Sequence, residues 1–306
     1  MSLSLERRQF MATALVTVGV KAGINAEPKE TRTPIVDSHL HCFAGKDDKR
    51  FPYHDKGPYK PDAAATPEHL LKCMDGAGVD FAIVVHPEPY QDDHRYLEHC
   101  LAVGKGRLKG TCLFFAGSDK VAERMKELAK KTPLVAARIH AYSPERLPPF
   151  GMPELKELWK TAGDLGLAIQ IHLEPRYAEG FEPFIKEFKD VKVIIDHLGR
   201  PMQGSPKEHD VVVKWSRFAN TVMKISAVPE MRQYPHRDVA PIIKQLTEAY
   251  GADRLIFGGG FSENATGETY RKERERIASF LAHLSKADQA KVLGGTAVNL
   301  FRLVRS

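Results

Sequence analysis

Two histidines one residue apart are the first groups in this chain whose spacing could do chemistry. Thr33-Pro34-Ile35-Val36 runs into Asp37-Ser38-His39-Leu40-His41, and the chain then breaks at a glycine. Side chains two apart on a strand share a face, so His39 and His41 would point the same way from one strand end. Imidazoles so placed can bind a metal ion or serve as paired hydrogen-bond donors to an oxyanion. Two unrelated histidines on a half-buried strand are the alternative.

Four more histidines end apolar runs. His86 follows Phe81-Ala82-Ile83-Val84-Val85, and His140 lies in Ala137-Arg138-Ile139-His140-Ala141-Tyr142. His172 lies in Ile169-Gln170-Ile171-His172-Leu173-Glu174, and His197 in Ile194-Ile195-Asp196-His197-Leu198-Gly199-Arg200-Pro201. Six of 13 histidines therefore fall at run ends, where chance scattering would leave more on helices. The others, His54, His69, His94, His99, His209, His236 and His283, read as surface residues.

The elements that must position these groups alternate regularly. Apolar runs at 35–40, 81–86, 108–115, 135–140, 167–173, 191–197, 221–226 and 254–260 read as strands. Several are continuous rather than alternating, as in strands covered on both faces. Amphipathic stretches at 66–77, 92–103, 118–131, 152–165, 180–188, 208–218, 238–250 and 269–284 read as helices, with a last one at 286–303. Thr66-Pro67-Glu68 places a cap and then a proline at the first helical position. Eight strand–helix repeats make a (β/α)8 TIM barrel, in which catalytic residues come from the C-terminal strand ends. A doubly wound open sheet fits less well, because no Gly-rich phosphate loop follows the first strand. Residues 43–65 form a long loop over that same mouth.

The N-terminus reads differently. Glu6-Arg7-Arg8-Gln9-Phe10-Met11 precedes an apolar run from Ala12 to Val20 and a small-residue stretch ending near Ala26. This pattern makes residues 1–26 a signal peptide with a twin-arginine-like start, residues 27–33 a linker and residues 34–306 the barrel domain. The run is shorter than the about 20 apolar residues a membrane span needs, so export to the periplasm without stable membrane insertion is expected. An uncleaved anchor or an ordinary N-terminal helix is the alternative. Charge is +6 and the pI near 9.0, but no basic run with interleaved aromatics appears, which argues against a nucleic-acid partner. The expected partner is a small-molecule substrate. Cys42, Cys73, Cys100 and Cys112 lack any knuckle spacing and read as free, buried thiols.

From Pro34 to its end the chain resembles the amidohydrolase superfamily. It is most like the amidohydrolase-related branch that holds sugar-lactone and 2-pyrone-4,6-dicarboxylate lactonases. The resemblance rests on residues 36–41, on Ile195-Asp196-His197-Leu198-Gly199-Arg200-Pro201, on Met223-Lys224-Ile225-Ser226, on 250–258 and on 292–301. It implies His39 and His41 as ligands of a divalent metal ion (Zn or Mn) or as substrate-holding groups, His172 as a metal ligand, and His197 as a group that binds substrate or polarises its carbonyl. Some lactonases of this branch work without metal, gripping an anionic substrate with histidines and an arginine. Arg138, on the face of His140, could do this or be an ion-pair partner inside the barrel.

One position departs from the family pattern. Strand eight there ends Gly-Ser-Asp, and the Asp is the general base; here Gly258-Gly259-Gly260 leaves Gly260 in its place. Losing a general base costs typically about 10²–10⁴ in rate. Glu263 or Glu268 from the following loop, Glu174 beyond His172, or the extra histidines His86 and His140 could compensate. Asp196 is excluded, because strand alternation points it away from the face of His197. The expectation is an exported hydrolase acting on a cyclic ester or related carbonyl compound, with His197, Arg138 and Glu174 catalytic and His86, His140 and Glu263 on the substrate. A silent ligand-binding barrel and a decarboxylase or carbon–carbon lyase are the alternatives.

Overall fold

Alternating apolar and amphipathic stretches become alternating parallel strands and helices. The computed structural model describes residues 32–230, 232–233 and 237–304. The expected signal peptide, most of the linker and His236 lie outside them. Among the described residues eight strands follow in order: β1 Val36–Leu40, β2 Phe81–Val85, β3 Leu108–Leu113, β4 Leu134–Ala141, β5 Ala168–Leu173, β6 Val193–Ile195, β7 Thr221–Ile225 and β8 Leu255–Phe257. Each pairs in parallel with the next. The α-helices are α1 Pro67–Ala77, α2 Arg95–Val103, α3 Val121–Lys131, α4 Pro153–Asp164, α5 Glu182–Glu187, α6 Pro206–Lys214, α7 Ala240–Tyr250, α8 Gly267–Ser279, α9 Lys286–Ala290 and α10 Thr296–Phe301.

The barrel is shut by side chains. The Ser38 hydroxyl of β1 donates to the Phe257 carbonyl of β8, and the Gly259 amide donates to Asp37 Oδ1 at 2.8 Å. Inside, Val36, Ile83, Ala136, Ala168, Ile194, Val222 and Ile256 pack into an apolar floor. Outside, larger residues such as Trp159, Phe181, Ile243 and Leu246 fill the layer between strands and helices. Burying both faces explains the continuous apolar runs. The Thr66 cap forms as expected, with its hydroxyl accepting from the His69 amide at 3.2 Å. Among the described residues no helix is long and apolar enough to cross a membrane. All four cysteines are buried and free.

Three of the departures from the sequence expectation shape the barrel and its mouth. The last helix is not continuous: a π-helical turn, Lys291–Gly295, separates α9 from α10. It sets Gly294 so close to the start of β1 that a Cβ there would lie 1.7 Å from the Pro34 oxygen. β6 stops at Ile195 and β8 at Phe257, both short of their apolar runs. Their ends leave the sheet to build the mouth described next.

Candidate active site

β4, β5, β6 and β7 carry a second interior layer, and it is polar. Asp196, fully buried, is its hub. Its Oδ2 accepts from Arg138 Nε at 3.1 Å and from Gln170 Nε2 at 2.9 Å, while Arg138 Nη2 is 3.0 Å away. Its Oδ1 lies 3.0 Å from Lys224 Nζ and 3.4 Å from His39 Nδ1. Burial alone would raise this carboxyl; Lys224, His39 and Arg138 outweigh it and hold the pKa well below the usual range. The exclusion of Asp196 is therefore corrected. Alternation does turn it inward, but β6 ends before His197, whose φ of +56° starts a left-handed run through Leu198, Gly199 and Arg200. That turn swings His197 back over the same interior. Such backbone is costly for non-glycine residues and is held here by His209 Nε2, which donates to the Leu198 carbonyl at 2.7 Å.

Above the hub, five imidazoles form an arc. Ring centroids are 5.1 Å apart for His41 and His39, 4.4 Å for His39 and His197, 5.3 Å for His197 and His172, and 5.4 Å for His172 and His140. A register shift in β1 between Asp37 and Leu40 helps aim its end. His41 Nδ1 donates to the Val85 carbonyl at 2.7 Å, and His197 Nδ1 meets Ser226 Oγ at 2.9 Å. Burial pushes His41 and His197 down to about 3 and holds His39 and His172 well below the ordinary value, so the rings are neutral at physiological pH. A cavity of about 670 Å³ opens beside His172 and His197, walled by Arg200 and Gln203 after β6, by Glu230 and Gln233 after β7, and by Glu273 and Arg276 of α8. Sequence reading missed these walls, though Arg200 stood inside a quoted motif.

The remaining expected residues fall elsewhere. Arg138 is 4% exposed and bonded to Asp196, which makes it the interior ion-pair partner rather than a cavity residue. His86 is buried, with Nε2 donating to the Gln91 carbonyl at 2.9 Å and its ring 4.4 Å from His94. His94 and His209 are not surface residues: both are buried, and His94 Nε2 accepts from the Leu113 amide at 3.1 Å. Glu174 is ion-paired with Arg176 and lies 3.9 Å from Arg200. Glu263 is exposed beside Asn264, and Glu268 is exposed and paired with Lys272 at 2.7 Å. None of these carboxylates fills the place of the missing Asp. Tyr270 does. A Cβ on Gly260 would lie 2.6 Å from its ring, and its hydroxyl donates to Asp37 Oδ2 at 2.5 Å.

His39, Asp196 and His197 could hold a metal ion, since one ligand atom from each lies within 4.8 Å of the others. Two neutral imidazoles and an ionised carboxylate have the donor chemistry a divalent ion takes, so the set fits. Such an ion would sit beside the Lys224 ammonium, which already lies 3.3 Å from His39 Nδ1. His41 and His172 flank this set without completing it.

An eight-stranded barrel with histidines and a buried carboxylate at the C-terminal strand ends has the architecture of amidohydrolase-type TIM barrels. Residues 36–303 match the amidohydrolase family profile Amidohydro_2, and the chain belongs to that family. The uncharacterized protein y4mH of Sinorhizobium fredii is 20% identical over 156 residues, 49% of this chain and 52% of that protein, so the match spans about half its length. Two crystal structures share the fold. A probable 2-pyrone-4,6-dicarboxylic acid hydrolase of Acinetobacter baumannii with citric acid bound is 19% identical at TM-score 0.71, over 88% of this chain and 99% of that one. A Burkholderia multivorans amidohydrolase with bound Zn is 17% identical at TM-score 0.68, over 89% and 100%.

The burial of so many neutral imidazoles makes stability depend on pH. Their folded pKa values lie below the unfolded value of about 6.5, so the unfolded chain binds more protons once pH drops under that value. Their contribution is complete above about pH 6.5 and is lost as pH falls towards the folded values. Asp37, which burial raises to about 6, acts in the opposite sense but is one group against several. The urea midpoint is expected to fall steadily from pH 7 to pH 5; a flat or rising midpoint would contradict the neutral arc.

Proposed function

We propose that this protein is an exported hydrolase that opens a cyclic ester or a related carbonyl compound by attack of water. The observation that carries the reading is the imidazole arc at the barrel mouth, with His39 and His197 4.4 Å apart directly above the Asp196–Lys224 pair. His39 Nδ1 faces both the Lys224 ammonium at 3.3 Å and Asp196 Oδ1 at 3.4 Å, so that pair anchors the ring and leaves Nε2 outside it. Without a metal ion, His39 Nε2 and the outer nitrogen of His197 form a pair of polar groups for the substrate carbonyl oxygen. Donors aimed at developing negative charge in a site shielded from water are the strongest single lever such a site has. The positive charges of Lys224 and Arg138, balanced by only one fully ionised carboxylate, favour an anion above them.

A divalent ion, Zn or Mn, held by His39, Asp196 and His197 would polarise the carbonyl and lower the pKa of bound water from about 15.7 to about 7. The cavity beside His172 and His197 takes the rest of the substrate, with Arg200 and Arg276 placed for carboxylate or hydroxyl groups. The rival reading, a barrel that binds a small ligand without turnover, is favoured by Gly260 alone.

Three measurements test the proposal. In a screen of lactones and amides, wild-type protein is expected to hydrolyse at least one, and His39→Ala and His197→Ala to lose about 10²-fold or more of that activity. Full retention in both variants would place the site elsewhere. Elemental analysis of desalted, untagged protein is expected to find about one equivalent of Zn or Mn, reduced in His197→Ala; metal-free active protein would leave the paired donors as the whole device. Deleting residues 1–26 is expected to abolish export, and undiminished export would sink the signal-peptide assignment.

A further inference from the structure

Hydrolysis needs a proton acceptor, and strand eight offers none. Gly260 has no side chain, its φ of +117° suits few other residues, and Tyr270 occupies the space an Asp would enter. Of the nearby carboxylates, Asp196 is paired with Lys224 and Arg138, Glu273 with Arg276 and Glu230 with Arg232, which leaves the arc itself as the source of the acceptor. His39 is ill placed, because an imidazolium there would stand 3.3 Å from the Lys224 ammonium. His41 has a backbone carbonyl behind it, which cannot balance the charge of an imidazolium. His197 has only the Ser226 hydroxyl, and His172 Nδ1 is buried with no hydrogen-bond partner to steady an imidazolium.

His140 differs. Its Nδ1 lies 3.2 Å from Glu88 Oε2, in a pair that is almost wholly buried. Glu88 is itself fixed: the Tyr142 hydroxyl donates to Oε2 at 2.5 Å, and Arg146 Nε lies 2.7 Å from Oε1. Both ring nitrogens of His140 are buried without a formed hydrogen bond; Nδ1 has the Glu88 carboxylate within reach, whereas Nε2 has no such group, an expensive state for a ring nitrogen unless a reacting group completes it. It stands in register with His172, which lines the cavity, and the two rings meet edge to face. No sequence pattern pointed to Glu88, which sits in a short 3₁₀ turn after β2.

We propose that His140, oriented by Glu88, is the general base that stands in for the carboxylate absent at position 260. This rests on the ester-hydrolysis reading above. The Glu88 carboxylate favours the Nδ1–H tautomer, which leaves the lone pair on Nε2, on the strand face that His140 shares with His172. As the water oxygen bonds to the carbonyl carbon, Nε2 takes its proton and Glu88 stabilises the imidazolium. When the ring C–O bond breaks, His140 returns that proton to the leaving alkoxide, giving the hydroxy acid and the original enzyme. His140 is the catalytic residue and Glu88 a positioning residue.

The test combines kinetics with the ring's tautomer. On whichever lactone the wild type turns over, His140→Gln is expected to lower kcat by about 10²–10³-fold with KM within about threefold. Glu88→Gln should lower kcat by about 10-fold or more, and Glu88→Asp should recover part of it, which a purely structural defect would not do. Retention of half the wild-type kcat in His140→Gln would overturn the proposal while leaving lactone hydrolysis intact. Absence of any hydrolysis by the wild type would instead refute the functional reading. Long-range ¹H–¹⁵N correlation on the labelled full chain decides the orientation without any substrate: Nδ1–H on His140, lost in Glu88→Gln, supports the dyad, and Nε2–H overturns it.

Discussion

The structure depends on one buried carboxylate. Asp196 draws Arg138, Gln170, Lys224 and His39 together inside the barrel, from four strands besides its own. In an interior of low dielectric, leaving either cation without its partner costs several kcal/mol, so the network tolerates little displacement. Such a cluster does little for net stability compared with an apolar layer of equal volume. Its effect is placement: the C-terminal half of the barrel cannot be filled by Val and Ile, and the imidazoles above it rest on a rigid charged base.

Two chain breaks convert that base into a site. β6 ends one residue before Asp196, and the left-handed run from His197 to Arg200 returns an imidazole to the interior that regular strand geometry would have sent outward. β8 ends in three glycines, and Gly258 lets His39 approach so closely that a Cβ would lie 2.7 Å from its amide nitrogen. The barrel therefore relinquishes sheet hydrogen bonds where function needs side chains and open backbone. The Tyr270–Asp37 contact seals the gap, so the space left by the absent Asp is occupied rather than open.

Much of this was legible in the sequence because it depends on periodicity. The strand and helix repeats, the Thr66 cap and the concentration of histidines at strand ends all follow from local pattern. What failed, failed where local pattern stops. Strand alternation excluded Asp196 wrongly, because it could not foresee the positive φ of His197, where His209 arrives from α6 to hold the turn. His94 looks like a surface histidine until the fold presents it with the Leu113 amide. Glu88 carries no signal at all: its role arises from β4 and the following turn bringing His140, Tyr142 and Arg146 to it.

By itself, then, the sequence determined the architecture and the supply of reactive groups, because burial of strand faces and the chemistry of imidazole are properties of residues and their spacing. Only the tertiary structure decided which groups meet. It made Arg138 an internal counter-ion, gave Asp196 to the site, and set His140 against Glu88, far apart in the chain. Such pairings are settled by three-dimensional packing and by the cost of leaving buried charge without a partner, and neither is written in any short stretch of the chain.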